Sequence, residues 1–294
     1  MSKRVILTGG TGLIGKEALA YLINKGFEIY SITTKETESS EINWVKCDLF
    51  DTQALGKIFE EIKPQYLLNF AWITGGDYLT NEKNLLYKDT GIKMLEYFKQ
   101  NGGKRAVYAG TCFEYDITGE ILTETSRLNP KTLYAKCKKE LFEEGMKYSQ
   151  NNSISFGWGR IFYVFGQGEK PSRLTAKILN SLSNKEHMEI GAPFNNLDYM
   201  YTKDIARAFV ELLDSDYSGA VNICTGKGIL LKDYALLMQK VFGEKDIITF
   251  NPNPAPATVC IGNNALLKKL TGFAPRYTIE EGIKEVVEAY KRTL

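Results

Sequence analysis

The apolar run Val5-Ile6-Leu7 leads directly into Thr8-Gly9-Gly10-Thr11-Gly12-Leu13-Ile14-Gly15, and a helical pattern follows through Ala18, Leu19, Leu22 and Ile23. A strand, a glycine turn and a helix in that order open an α/β fold. Glycines at positions 9, 12 and 15 let backbone N–H groups and a helix N-terminus approach a pyrophosphate without Cβ obstruction. A dinucleotide cofactor held at Gly9, Thr11, Gly12, Leu13 and Ile14 is the leading expectation. A plain tight turn between strand and helix is the alternative that the glycines alone leave open.

The next elements extend the same pattern. Strand signals occur at residues 5–8, 28–33, 43–45, 66–70, 105–109 and 153–162, and helical ones at 13–25, 52–62, 79–100 and 134–150. Such alternation predicts a doubly wound parallel sheet of the Rossmann type, covered by helices on both faces. Beyond residue 164 the pattern loosens, with helices expected at 172–182, 202–213, 231–241 and 278–290. The reading is a dinucleotide-binding domain over 1–164, with return segments near 197–224, and a smaller mixed α/β substrate lobe over 165–294.

Bulk charge excludes some partners. Lys and Arg number 37 against 35 Asp and Glu, a net charge of +2, so nothing draws the chain toward nucleic acid or acidic membranes. No apolar run approaches the roughly 18 residues of a membrane span, and no signal-peptide pattern is present, which gives the expectation of a cytoplasmic protein. Cys47, Cys112, Cys137, Cys224 and Cys260 are scattered without CxxC spacing and read as reduced thiols. The single histidine, His187, cannot build a multi-histidine metal site, so no metal is expected.

A second constellation is Tyr134-Ala135-Lys136-Cys137-Lys138, where a tyrosine and a lysine four apart share one helix face. An ammonium there would favour the phenolate and draw the tyrosine pKa down from about 10, making Tyr134 a usable general acid or base. A solvated surface pair is the alternative. Thr111 follows the strand signal at 105–109, and in a doubly wound sheet ligands sit beyond the carboxyl ends of the strands. Thr111 is therefore expected to face the crevice that the glycine turn also faces.

Together these residues resemble the extended short-chain dehydrogenase/reductase family, in its NAD(P)-dependent nucleotide-sugar epimerase/dehydratase group. The resemblance runs in order along nearly the whole chain. It takes in the glycine turn, Cys47-Asp48-Leu49 after the third strand, Leu68-Asn69-Phe70-Ala71, and Gly110-Thr111 through Tyr115. It continues through Thr123-Glu124, Pro130, the Tyr134/Lys138 pair and Arg160 to Gly166. Leu197-Asp198-Tyr199-Met200-Tyr201 with Asp204, Val221-Asn222-Ile223, and Gly272-Phe273-Ala274-Pro275 complete it. The resemblance implies Thr111, Tyr134 and Lys138 as catalytic residues. It implies Asp48, Leu49, Phe70, Ala71 and Tyr163 beside the cofactor, and Trp72, Thr111, Cys112, Phe113, Lys170, Arg173 and Asp198 toward a nucleotide-sugar substrate. It also implies a homodimer formed through helices 79–100 and 134–150.

Departures narrow the reaction. Cys112-Phe113 stands where the group's dehydratases carry an Asp-Glu pair, which argues against dehydration, and the cysteine and histidine of the epimerase/reductases are not matched in place. The subgroup most resembled is the small 4-ketoreductases of the CDP-abequose and dTDP-fucose synthase type. The second strand ends in Thr33-Thr34-Lys35 with no carboxylate until Glu36, so a 2′-phosphate is accommodated and NADPH is expected, with NAD as the alternative. The leading expectation is reduction of a C4 ketone on a 4-keto-6-deoxy nucleotide sugar. Its rivals are a UDP-galactose-4-epimerase-like enzyme that retains NAD and a non-catalytic NADPH-sensing relative.

Overall fold

The computed structural model describes residues 3–294. A seven-stranded, wholly parallel sheet runs through its centre. Its strands, in chain order, begin with β1 (Lys3–Thr8), β2 (Phe27–Thr33), β3 (Asn43–Lys46), β4 (Tyr66–Asn69) and β5 (Arg105–Thr111). From β3 at one edge, the spatial order is β3-β2-β1-β4-β5, then strands Ser155–Ile161 and Gly219–Ile223. The chain reverses direction of growth between β1 and β4, which opens a crevice at the carboxyl ends of those strands. The doubly wound sheet foreseen from the alternation is present.

Helices α1 (Gly15–Asn24), α2 (Thr52–Ile62), α3 (Lys83–Gln100) and α4 (Leu133–Asn151) cover the sheet. On one face α1 packs with helix Thr202–Leu213 over Val5, Leu7, Leu68 and Val107; on the other, α2, α3 and α4 pack over Ile6, Leu67, Ala106 and Tyr108. Successive β1 residues thus serve opposite layers, as strand periodicity requires. Small residues bring α3 and α4 together: a Cβ at Gly91 would stand 2.8 Å from the Leu141 side chain. A third apolar cluster, around Phe165, Tyr199, Tyr234, Met238 and Ile283, forms the core of the remaining lobe.

Several expected boundaries shift for local reasons. The helix expected from 79 begins at Lys83, because Asn81 first closes a turn: its side-chain amide donates to Asp77 at 2.9 Å and its Oδ1 accepts from Lys83 N at 2.9 Å. The strand expected from 153 begins at Ser155, since Ser153 adopts a left-handed φ of +53°. Helix Ala265–Thr271 and the short strands Ile121–Leu122, Asn196–Leu197, Ile229–Leu230 and Val259–Gly262 were not foreseen. Among the described residues, no helix is long and apolar enough to cross a membrane.

Candidate active site

The turn after β1 needs its glycines. Gly9 has φ +75°, and a Cβ there would lie 2.9 Å from the backbone at Phe70 and Ala71; a Cβ on Gly15 would strike the Gly9 carbonyl at 2.1 Å. Gly12 N–H closes the turn onto Gly9 O at 2.9 Å. Helix α1 then starts with no side-chain cap. Lys16 N already donates to Gly12 O and Glu17 N to Ile14 O, each at 3.1 Å, but the amides of Leu13, Ile14 and Gly15 have no partner among the described residues, which is the kind of donor set a pyrophosphate requires. This cradle fits a dinucleotide.

The cradle opens into a cleft of about 820 Å³. Gly9, Thr11, Gly12, Leu13, Ile14, Thr33, Thr34, Lys35, Asp48, Leu49, Phe70, Ala71 and Trp72 line it as the sequence leads one to expect, together with Thr111, Cys112, Phe113, Tyr134, Lys138, Tyr163, Lys170 and Arg173. Asp198 is the exception and a correction. Its carboxylate is fully buried and is absent from the cleft wall; it accepts from Thr225 N at 2.9 Å, Thr225 Oγ1 at 2.6 Å and Gly226 N at 2.9 Å. It clamps a turn instead of meeting a ligand. Tyr78, Tyr87, Glu169, Thr175 and Tyr199 also line the cleft and were not singled out. Of these, Glu169, directly after the Gly166–Gly168 loop, and Tyr199, within the matched segment Leu197–Tyr201, carried a sequence signal.

Three elements bring the chemistry together. Thr111 ends β5 and starts a short 3-10 turn: its N–H donates to Glu114 Oε1 at 2.9 Å, and its Oγ1 accepts from Phe113 N at 3.3 Å. Thr132 caps α4 by accepting from Ala135 N at 3.2 Å, while Tyr134 N–H donates to Leu79 O at 3.1 Å. Two otherwise orphaned amides of the first helical turn are thereby satisfied, and Tyr134 is fixed at the cleft. One turn on, the Lys138 ammonium donates to Ala109 O at 2.6 Å and stands 3.7 Å from the centre of the Trp72 ring.

Electrostatics depart from the expected pairing. Burial raises the Tyr134 phenol above its ordinary range, and a hydrogen bond with Thr111 works against that rise. Burial also pushes the Lys138 ammonium down to about 7, with Glu114 opposing the shift. Burial thus favours the protonated phenol of Tyr134 over the phenolate. Behind Thr111, Glu114 holds a fully buried network: Arg160 Nε donates to it at 2.7 Å and Trp158 Nε1 at 3.0 Å.

The far wall is aromatic and cationic. The Tyr134 ring meets Tyr78 edge-on at 5.1 Å, and the Arg173 guanidinium lies 5.8 Å from the Tyr78 ring centre. At the end of β2, Thr33 Oγ1 accepts from Lys35 N at 3.1 Å. The Lys35 ammonium has no partner among the described residues, while Glu36 pairs with Lys46.

Residues 5–224 match the model of the NAD dependent epimerase/dehydratase family. A probable UDP-glucuronate 4-epimerase of Rhizobium meliloti is 26% identical over 98% of this chain and 96% of its own length. The CDP-abequose synthase of Yersinia pseudotuberculosis is 24% identical over 72% of this chain and 74% of its own. Among solved structures, the Thermus thermophilus UDP-glucose 4-epimerase in complex with NAD superposes with a TM-score of 0.86 at 22% identity, covering 99% of this chain and 100% of that one. That likeness establishes the fold.

Proposed function

Because the chain belongs to the NAD dependent epimerase/dehydratase family, we propose that it performs hydride chemistry at C4 of a nucleotide sugar, and that the net reaction interconverts C4 epimers. The observation that carries this reading is the convergence of Thr111, Tyr134 and Lys138 on a cleft whose other end is the glycine cradle. The epimerases among the relatives support the epimerisation over the ketone reduction expected from sequence.

In this mechanism the glycine turn and the amides of α1 hold a pyrophosphate, and Asp48 with Thr33 and Thr34 borders the adenosine end. A bound oxidised nicotinamide would supply the hydride acceptor, and its positive charge would favour a phenolate. Tyr134 takes the proton of the C4 hydroxyl as the ketone forms, and Thr111 keeps a hydrogen bond to the same oxygen. Tyr134 returns that proton once the sugar has presented its other face, so protons and electrons balance with no net consumption. Lys170 and Arg173 face the diphosphate. The free cysteines fit a reducing, cytoplasmic setting. Tyr134→Phe tests the assignment: turnover falls by roughly two to four orders of magnitude with the fold intact, the share of a positioned proton carrier. Turnover above about a tenth of wild type would remove Tyr134 from the role.

One observation favours a second reading. The unpaired Lys35 and the absence of a carboxylate on Thr33-Thr34 suit a 2′-phosphate. NADPH would then be the cofactor, and reduction of a 4-keto-6-deoxy nucleotide sugar the reaction, with Tyr134 giving its proton to the C4 alkoxide. Consumption of NADPH in step with product separates the two.

A further inference from the structure

Lys138 is only 4% exposed, and among the described residues no carboxylate pairs with its ammonium. Each element around it presents a different group. The β5 end offers the Ala109 carbonyl; the following turn offers Glu114, already bonded to Arg160, Trp158 and the Thr111 amide. Strand Ser155–Ile161 presents Arg160 and the Trp158 ring, 5.8 Å away. Helix α4 itself presents Tyr134. On α3, Tyr87 lies behind Trp72, and Lys88 turns to Glu140 at 3.4 Å. What covers the ammonium is the Trp72 ring face, at 3.7 Å.

Trp72 is held for that position. Its indole Nε1 donates to Asn84 Oδ1 at 2.7 Å, and the buried Asn84 amide in turn donates to Tyr78 O and Asn81 O, each at 2.7 Å. Tyr87 stacks on the indole at 5.4 Å with 26° between planes. Edge and face are both fixed, so the ring cannot drift from the cation.

We propose that Trp72 is a positioning residue whose ring stands in for the counter-ion Lys138 lacks, favouring the ammonium over the neutral amine and holding it in place beside Tyr134. The proposal rests on the functional reading above for its significance, but not for its test. An aromatic face attracts a desolvated cation through its quadrupole and so opposes the push of burial toward the neutral amine. Of the ammonium's three protons, Ala109 takes one. Two are left for a cofactor or substrate hydroxyl.

The experiment titrates Lys138 directly. Its Cε resonance, in protein carrying isotope-labelled lysine and identified by its loss in Lys138→Met, is followed against pH in wild type, Trp72→Phe and Trp72→Leu. Losing the ring should lower the midpoint by about one pH unit in Trp72→Leu, and Phe, the weaker cation binder, should lower it by less. An unchanged midpoint in folded Trp72→Leu overturns the proposal. Should that variant fail to fold, Trp72→Phe decides alone: a midpoint below wild type supports the proposal and an unchanged one overturns it. Because no substrate enters the measurement, its outcome is independent of whether the enzyme proves to be an epimerase.

Discussion

Glu114 and Arg160 form an ion pair at 2.7 Å with both side chains out of solvent, 0% and 2% exposed, directly behind Thr111. The carboxylate is also bonded by the Thr111 amide and by Trp158. Removing one partner strands the other charge in the interior. Glu114→Ala is therefore expected to cost about 3–5 kcal/mol, measured by urea unfolding, with Glu114→Gln costing less because an acceptor for Thr111 N–H remains. A loss below about 1 kcal/mol in Glu114→Ala would mean that the pair contributes little.

Lys138 links stability to pH. Burial places its folded value at about 7 against 10.5 for a free lysine. Between those values the unfolded chain binds the proton and the folded one releases it, so this group adds stability as pH rises through that window and is most costly below it. Lys138→Met, which removes the buried charge, is expected to change Tm more favourably at pH about 6 than at pH about 9, whatever its constant offset from lost contacts. Equal changes at both pH values would contradict the shift.

The free cation at the end of β2 predicts a cofactor effect. Lys35→Ala is expected to weaken NADPH binding about fivefold in a fluorescence titration while leaving NADH unchanged, and the difference should shrink with added salt. Equal effects on both cofactors would show that Lys35 does not read the 2′-phosphate.

Leu85 and Leu86 on α3 are 43% and 49% exposed, whereas Leu95 and Phe98 on the same helix are buried in the chain's own core. The exposed pair is expected to be covered in a homodimer. Light scattering at micromolar concentration should read twice the mass of one chain, and Leu85→Asp with Leu86→Asp should halve it. A monomeric wild type would end this expectation.

The glycine turn and the Tyr134/Lys138 pair were legible because each is a local pattern: glycines set by backbone contact, and a helical spacing that puts two side chains on one face. The alternation of the first half fixed the sheet for the same reason. Other features depend on distant chain segments. Trp72, in the loop after β4, meets Lys138 of α4 across a long stretch of sequence, and nothing near either residue signals it. Asp198 resembled a ligand-facing motif, but backbone amides of residues 225, 226 and 262 consume its carboxylate. The strands of the second lobe, such as Ile121–Leu122, are too short to show a period and pair across long sequence separations. The expected lowering of the Tyr134 pKa is not seen, since burial of the phenol dominates and the lysine one turn on is itself desolvated.

The most direct test incubates the purified protein with a panel of UDP-linked hexoses and hexuronates, and follows the C4 configuration by proton NMR with NADPH absorbance recorded alongside. The account predicts that a C4 epimer accumulates toward equilibrium while NADPH stays constant, and that Tyr134→Phe abolishes its formation. Absence of any epimer, together with NADPH consumed in step with reduction of a 4-keto-6-deoxy nucleotide sugar, would contradict epimerisation and establish the reductase in its place.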